Sequence, residues 1–257
     1  ITTLTGSNNT AVGMAALQDV TSGGNNVAVG KDAGKDLTTG SVNTLIGDSA
    51  GSLLTTASST SAMGFAALSS LTTGVDNIAI GRSAASFLST GGYVIALGNY
   101  AADALTTTGV TTAIGFNALT TSTAGDNVAI GHTAAQLVTT GTLNTFLGNY
   151  AGRNVTTASY GMFLGRTAGN AHTTGAEPFY IGYDAGQAVT TGDHNTAIGT
   201  SSMTYGNGSH NTYVGWQAGF GANGQSCSFN TGVGKQALRN ASTGSSNTSL
   251  GYRAGYV

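Results

Sequence analysis

Fifteen glycines recur along this chain at a nearly constant spacing, and that period constrains the fold more than any other feature. They are Gly13, Gly30, Gly47, Gly64, Gly81, Gly98, Gly115, Gly131, Gly148, Gly165, Gly182, Gly199, Gly215, Gly234 and Gly251. Eleven of the fourteen intervals are 17 residues, two are 16 and one is 19. A fixed period means that one structural unit is repeated and stacked, each copy burying its apolar residues against its neighbours. The other positions keep phase with the glycines. The residue before each Gly is apolar in all fifteen copies, Ala stands three after it in fourteen (Ser202 is the exception), and Asn stands four before it in ten. Leu or Val is frequent seven after it, as at Val20, Leu37, Leu54 and Leu88.

Seventeen residues are too few for a helical hairpin, since the helical repeats need roughly 34. Helix interiors also disfavour the Gly, Thr, Ser and Asn that dominate here. At ~3.3 Å per residue, a unit of this length suits short strands joined at tight, glycine-bearing corners. The expected fold is all-β: a parallel β-solenoid or β-roll of about fifteen 17-residue coils, forming a single repeat domain over 1–257. Two stretches depart from the pattern. At 173–180, Pro178 replaces the corner Asn, and a local edge or bulge is expected because Pro lacks the ladder donor. At 216–230, two extra residues accompany 221–227, and a protruding loop is expected.

Each row implies a role. The apolar residue before the Gly is expected to fill the interior. The Ala three after it should sit where a larger side chain would meet the opposite wall. The Gly would allow a positive φ or a close backbone approach at the bend. The corner asparagines Asn9, Asn26, Asn43, Asn77, Asn127, Asn144, Asn195, Asn211, Asn230 and Asn247 are expected to bond to neighbouring coils as a ladder. The row two before the Gly is Ala in eight copies and then Phe146, Phe163, Tyr180 and Tyr213. It alternates with the presumed interior row, so it is expected to face outward and to pack against neighbouring chains.

Composition excludes several classes. The formal charge is −2, charged residues make up 7%, and no basic or acidic run occurs; neither a nucleic-acid partner nor a polybasic membrane contact is supported. No apolar run approaches the ~20 residues of a membrane-spanning helix, and the start of the chain lacks a signal peptide's pattern, so any targeting segment would lie outside this sequence. Cys227 is the single cysteine and reads as a semi-buried filler. His132, His172, His194 and His210 share no metal-ligand spacing and read as solvated or corner residues. The calcium-binding β-roll pattern, a phosphate loop in strand–helix context and a nucleophile elbow are all missing. No catalytic, metal or cofactor site is expected, and the chain does not read as an enzyme. Thr-Thr-Gly recurs, as at Thr38 and Thr156, but adjacent side chains point to opposite faces, which argues against a flat ice-binding array.

The residue just after each Gly varies freely and collects charge and aromatics, as a solvent-facing row would. Within it, Tyr183, Trp216 and Tyr252 form a candidate contact strip for a sugar or a protein, because amphipathic rings serve both.

The units Asn8-Asn9-Thr10-Ala11-Val12-Gly13 and Asp193-His194-Asn195-Thr196-Ala197-Ile198-Gly199 resemble the arrays of tail-fibre-domain repeat proteins of phages and environmental bacteria. More distantly they are similar to the head repeats of trimeric autotransporter adhesins, whose repeat is shorter. The resemblance implies an elongated homotrimeric fibre, extracellular on a cell surface or borne on a virion, that displays an attachment region for a host-cell glycan or protein receptor. The alternative reading is a self-polymerising extracellular filament, because almost a whole number of coils without polar caps would let chains stack head to tail.

Overall fold

A computed structural model describes residues 5–107, 109–221, 226–240 and 244–256. Among these residues there is no helix, and fifteen short parallel strands follow one another in chain order as a β-solenoid. The chain divides into two compact units, 1–127 and 128–257. The first holds β1 (Thr10–Val12), β2 (Val27–Val29), β3 (Thr44–Ile46), β4 (Ser61–Met63), β5 (Ile78–Ile80), β6 (Val94–Leu97) and β7 (Thr111–Ile114). The second holds β8 (Val128–Ile130), β9 (Thr145–Leu147), β10 (Met162–Leu164), β11 (Phe179–Ile181), β12 (Thr196–Ile198), β13 (Thr212–Val214), β14 (Thr231–Val233) and β15 (Thr248–Leu250).

Each strand ends at the motif Gly, whose φ lies between 122° and 143°. Two constraints fix glycine there. Side-chain-bearing residues rarely adopt that φ, and a Cβ built at Gly47 would sit 2.5 Å from the carbonyl oxygen of Gly64 in the next coil. The chain then turns through positions of positive φ that alternate with others. Many of them are not glycine: Tyr100 (61°), Ala102 (51°), Ser49 (59°) and even Val42 (63°). Left-handed backbone costs an L-residue roughly 1–2 kcal/mol. The alternation offsets this by sending successive amides to opposite neighbours. Ser49 N–H donates to the Lys31 carbonyl of the preceding coil at 2.8 Å, and Gly51 N–H donates to the Ala67 carbonyl of the following coil at 2.9 Å. Thr-Thr-Gly closes the unit. Thr38 Oγ1 donates to the Thr55 carbonyl at 3.0 Å and Thr55 Oγ1 to the Thr72 carbonyl at 3.1 Å, while the second threonine of each pair, such as Thr39, is exposed.

The interior corrects one expectation. The row two before the Gly points inward: Ala28, Leu45, Ala62, Ala79, Phe146, Phe163 and Tyr180 are all at 0% exposure. The row immediately before the Gly, expected inside, faces out, with Ile80 42% and Leu147 48% exposed. The lumen is narrow, and its volume is shared between the inward strand residue and the residue four after the Gly. Where the strand supplies Leu45, Phe146, Phe163, Tyr180 or Tyr213, that partner is Gly51, Gly152, Gly169, Gly186 or Gly219, and a Cβ there would collide with the large side chain. Where the strand supplies Ala62, Ala113 or Ala197, the partner is Leu68, Leu119 or Met203, all buried. Reciprocal volumes of this kind fill these coils; in others both partners are small, as at Ala28 and Gly34 or Ala79 and Ala85. The Ala three after the Gly is buried as expected in all but the first and last copies, Ala16 and Ala254, and Ser202 in its place satisfies its hydroxyl on the Tyr213 and Ala218 carbonyls.

Pro178 produces no bulge. β11 stays in register with β10, Met162 opposite Phe179, and Met162 N–H donates to the Pro178 carbonyl at 2.8 Å. The reason lies one coil earlier, where the corner residue is Gly161. It has no side-chain oxygen to offer, so the missing proline N–H orphans nothing. Across the 19-residue interval β13 and β14 also keep register, Thr212 opposite Thr231. Residues 222–225 of the expected loop lie outside the described residues.

Candidate functional site: an asparagine ladder and an outward cation–aromatic row

The asparagine corner is a structural ladder. Asn26 accepts the Asn43 amide N–H and one Nδ2–H at 3.0 Å each, and its own Nδ2 donates to Asn9 Oδ1 and to the Gly40 carbonyl. Asn195, Asn211, Asn230 and Asn247 repeat the pattern: Oδ1 of each of the first three takes the backbone N–H of the next at 2.9–3.0 Å. Val94 N–H donates to Asn77 Oδ1 and Gly161 N–H to Asn144 Oδ1, and Asn127 Nδ2 donates to the Gly125 carbonyl. Eight of the ten are buried, with Asn9 half-buried and Asn247 exposed. Replacement has a visible consequence at Val94 and Thr111. There the β-branched residue joins the ladder, and β6 and β7 run to four residues instead of three. These buried amides are consumed by the backbone they hold, so no ligand can use them.

The row after the Gly is exposed in every coil. Tyr183, Trp216 and Tyr252 share its phase, and each is 42% exposed or more. Trp216 and Tyr252 are brought together by Lys235, whose Nζ lies 4.9 Å and 5.7 Å from their ring centres. Tyr183 is not part of that group. Thr200 separates it from Trp216, and it pairs with Arg166 of the coil before, Nη1 donating to the phenol oxygen at 3.2 Å with the guanidinium 5.6 Å from the ring.

The same pairing accounts for most of the basic residues. Arg82 stacks between Phe65 and Tyr100, Arg153 lies on Tyr150, Arg239 lies between Phe220 and Tyr256, and Arg253 lies on Tyr252 and Tyr256. Lys31 and Lys35 instead sit beside Asp32 and Asp36 at 3.4 Å and 3.9 Å. The signal was present in the sequence, because Arg166 and Tyr183, Lys235 and Tyr252, and Arg239 and Tyr256 are each one 17-residue period apart.

Three of the four histidines hold outward positions. His132 packs edge-on to Tyr150, and His194 stacks on His210, which stacks on Phe229 with ring centres 4.9 Å and 5.0 Å apart. His172 departs from the expected solvated role. It is fully buried in the row seven after the Gly, in place of Leu or Val, against Phe163 and Tyr180. Burial lowers its pKa, and the neutral ring places Nε2 2.8 Å from the Gly175 carbonyl, to which it donates. Burial pushes the half-buried Cys227 thiol up, away from the reactive thiolate. Among the described residues no group of three or more His, Cys, Asp or Glu could hold a metal ion, and no helix is long and apolar enough to cross a membrane. The chain matches no protein-family model, no curated protein and no solved structure.

Proposed function

We propose that this chain is a structural and adhesive shaft, without catalysis, of an extracellular or virion-borne fibre that assembles as a homo-oligomer, a trimer by resemblance, and presents an attachment surface. The observation that carries the reading is how the side chains are divided. The recurrent polar residues, the corner Asn and the first Thr of the Thr-Thr-Gly turn, are spent on neighbouring coils, and what varies between coils is the exposed row after the Gly. Such a division suits a scaffold that displays contacts.

Self-association is supported by the outward face of the strands. Ile78, Ile80 and Met63 in the first unit and Val128 and Leu147 in the second leave 37–48% of their surface exposed. Aliphatic columns of this kind, repeated from coil to coil, favour a partner surface over water. The row expected to make this contact is buried; its strand neighbours take its place. Sedimentation velocity tests the assembly: the chain is expected to run as a trimer and an Ile80→Lys, Leu147→Lys variant as a folded monomer. A stable wild-type monomer overturns it. Electron microscopy separates discrete rods from the open filaments of the alternative reading.

A further inference from the structure

The charge of the chain is unevenly placed. Residues 1–193 carry five basic against ten acidic residues, a balance of −5, and residues 194–257 carry three basic and no acidic residues, a balance of +3. Those three cations, Lys235, Arg239 and Arg253, all fall in one patch on the last three described coils of the second unit. In the row after the Gly the order is Trp216, Lys235, Tyr252, and in the row five after it the order is Phe220, Arg239, Tyr256. In both, a cation lies between two rings of neighbouring coils, at 4.9–5.8 Å from the ring centres. Between these rows, Gln236 accepts from Arg253 Nε at 2.9 Å and donates to Gln217 Oε1 at 3.2 Å. Arg239 is held by Nη1 on the Tyr256 hydroxyl at 2.9 Å, and its Nε is buried without a hydrogen-bond partner among the described residues.

We infer that this patch binds an acidic polysaccharide, one whose pyranose rings carry carboxylate groups; the inference rests on the shaft reading and names the ligand class of its displayed surface. The rings supply apolar faces for the C–H faces of sugars, and Trp216, Tyr252 and Tyr256 are 42%, 63% and 40% exposed. The cations meet no acidic side chain from their own part of the sequence, so their charge is available to a ligand's carboxylates, with Arg able to grip one in two places. Ring–cation alternation from coil to coil repeats at the ~4.8 Å strand spacing, which presents a chain-like ligand with a regular series of subsites. A nucleic acid would also stack on the rings, but its affinity comes from neutralising many phosphates. Three cations on a chain of net charge −2 offer few such contacts.

The test uses the full chain and three probes: alginate oligosaccharides, neutral dextran oligosaccharides and oligo-deoxythymidylate, with binding read by the fluorescence of Trp216, the single tryptophan. Alginate is expected to bind, dextran to bind at least tenfold more weakly, and alginate affinity to fall severalfold as salt rises from low to physiological strength. Lys235→Gln, Arg253→Gln and Tyr252→Ala should each weaken alginate binding roughly tenfold, while Phe65→Ala in the first unit leaves it unchanged. Far-UV spectra identical to wild type show that the variants are folded. No alginate binding, binding unaffected by the three variants, or oligo-deoxythymidylate binding as tight as alginate overturns the inference. A wild-type chain that forms trimeric rods yet ignores alginate refutes only this ligand, whereas a monomer that binds alginate refutes the shaft reading and leaves the patch standing.

Discussion

Exchanging the two halves of a lumen pair tests whether the coil interior is shared as the structure indicates. Leu45 and Gly51 form one such pair, and Ala62 and Leu68 form its inverse in the next coil. Leu45→Ala removes a fully buried side chain and should cost about 3 kcal/mol from lost transfer energy and the residual cavity. Gly51→Leu puts a Cβ 2.6 Å from Leu54 Cδ1 and 2.9 Å from Leu45 Cδ2 and loads a left-handed position, φ 55°. Overpacking at about 1–3 kcal/mol and the conformational term at about 1 kcal/mol together should also cost about 3 kcal/mol. Independent effects would sum to about 6 kcal/mol. The double variant should lose about 3 kcal/mol, because the new Leu occupies the space Leu45 vacates, as Leu68 does beside Ala62 at a φ of 50°. The loss does not vanish, since Leu45 Cδ1 also fills the space above Gly34, where a Cβ would lie 2.6 Å away. The coupling is then about 3 kcal/mol, at the upper end for contacting residues. Urea unfolding followed by far-UV circular dichroism measures it, each single substitution lowering the midpoint by on the order of 1 M. Additivity within about 0.5 kcal/mol would refute the shared-volume account.

Two further outcomes follow from the backbone and from burial. Gly182→Ala, at φ 136° with its Cβ 2.6 Å from the Gly199 carbonyl oxygen, should destabilise the second unit by about 3 kcal/mol or more, whereas Gly251→Ala, at φ 122° with nothing within 4 Å, should lose only the conformational part; equal losses, read by Trp216 fluorescence during denaturation, would contradict the close-approach explanation. Burial pushes the Tyr213 phenol up to about 12, so the unfolded chain releases that proton first. The resulting stability is fully present below pH 10 and is lost at up to about 1.4 kcal/mol per pH unit as pH rises towards 12. Tyr213→Phe should flatten the alkaline slope of the unfolding free energy by that amount, and an unchanged slope would count against the burial.

Several features were legible in the sequence because they repeat. The period, the parallel stacking, the asparagine ladder and the exposure of the row after the Gly each depend on one residue recurring in phase, and a stacked coil turns recurrence directly into neighbours. The bulge expected at Pro178 is absent for a local reason: proline's lost donor matters only if the coil before presents an acceptor, and Gly161 presents none. The cation–aromatic pairs were less legible because each joins residues of different type and the separation varies: 17 residues from Arg166 to Tyr183, 18 from Arg82 to Tyr100 and 3 from Tyr150 to Arg153.

What the sequence alone determined is that an apolar residue precedes every motif Gly and that Ala is the commonest residue one place before that apolar residue. Which of the two faces inward was decided by the tertiary structure. Alternation has no sign, and size suggests that the larger residues fill the core. In this solenoid the corners close through left-handed turns at ordinary residues such as Tyr100 and Leu68, which leaves a lumen too narrow for a large residue on both walls. Alanine therefore goes inside with Leu, Met, Ala or Gly opposite, Leu, Phe or Tyr go inside with Gly opposite, and the apolar residues before the motif Gly face outward where a partner can cover them.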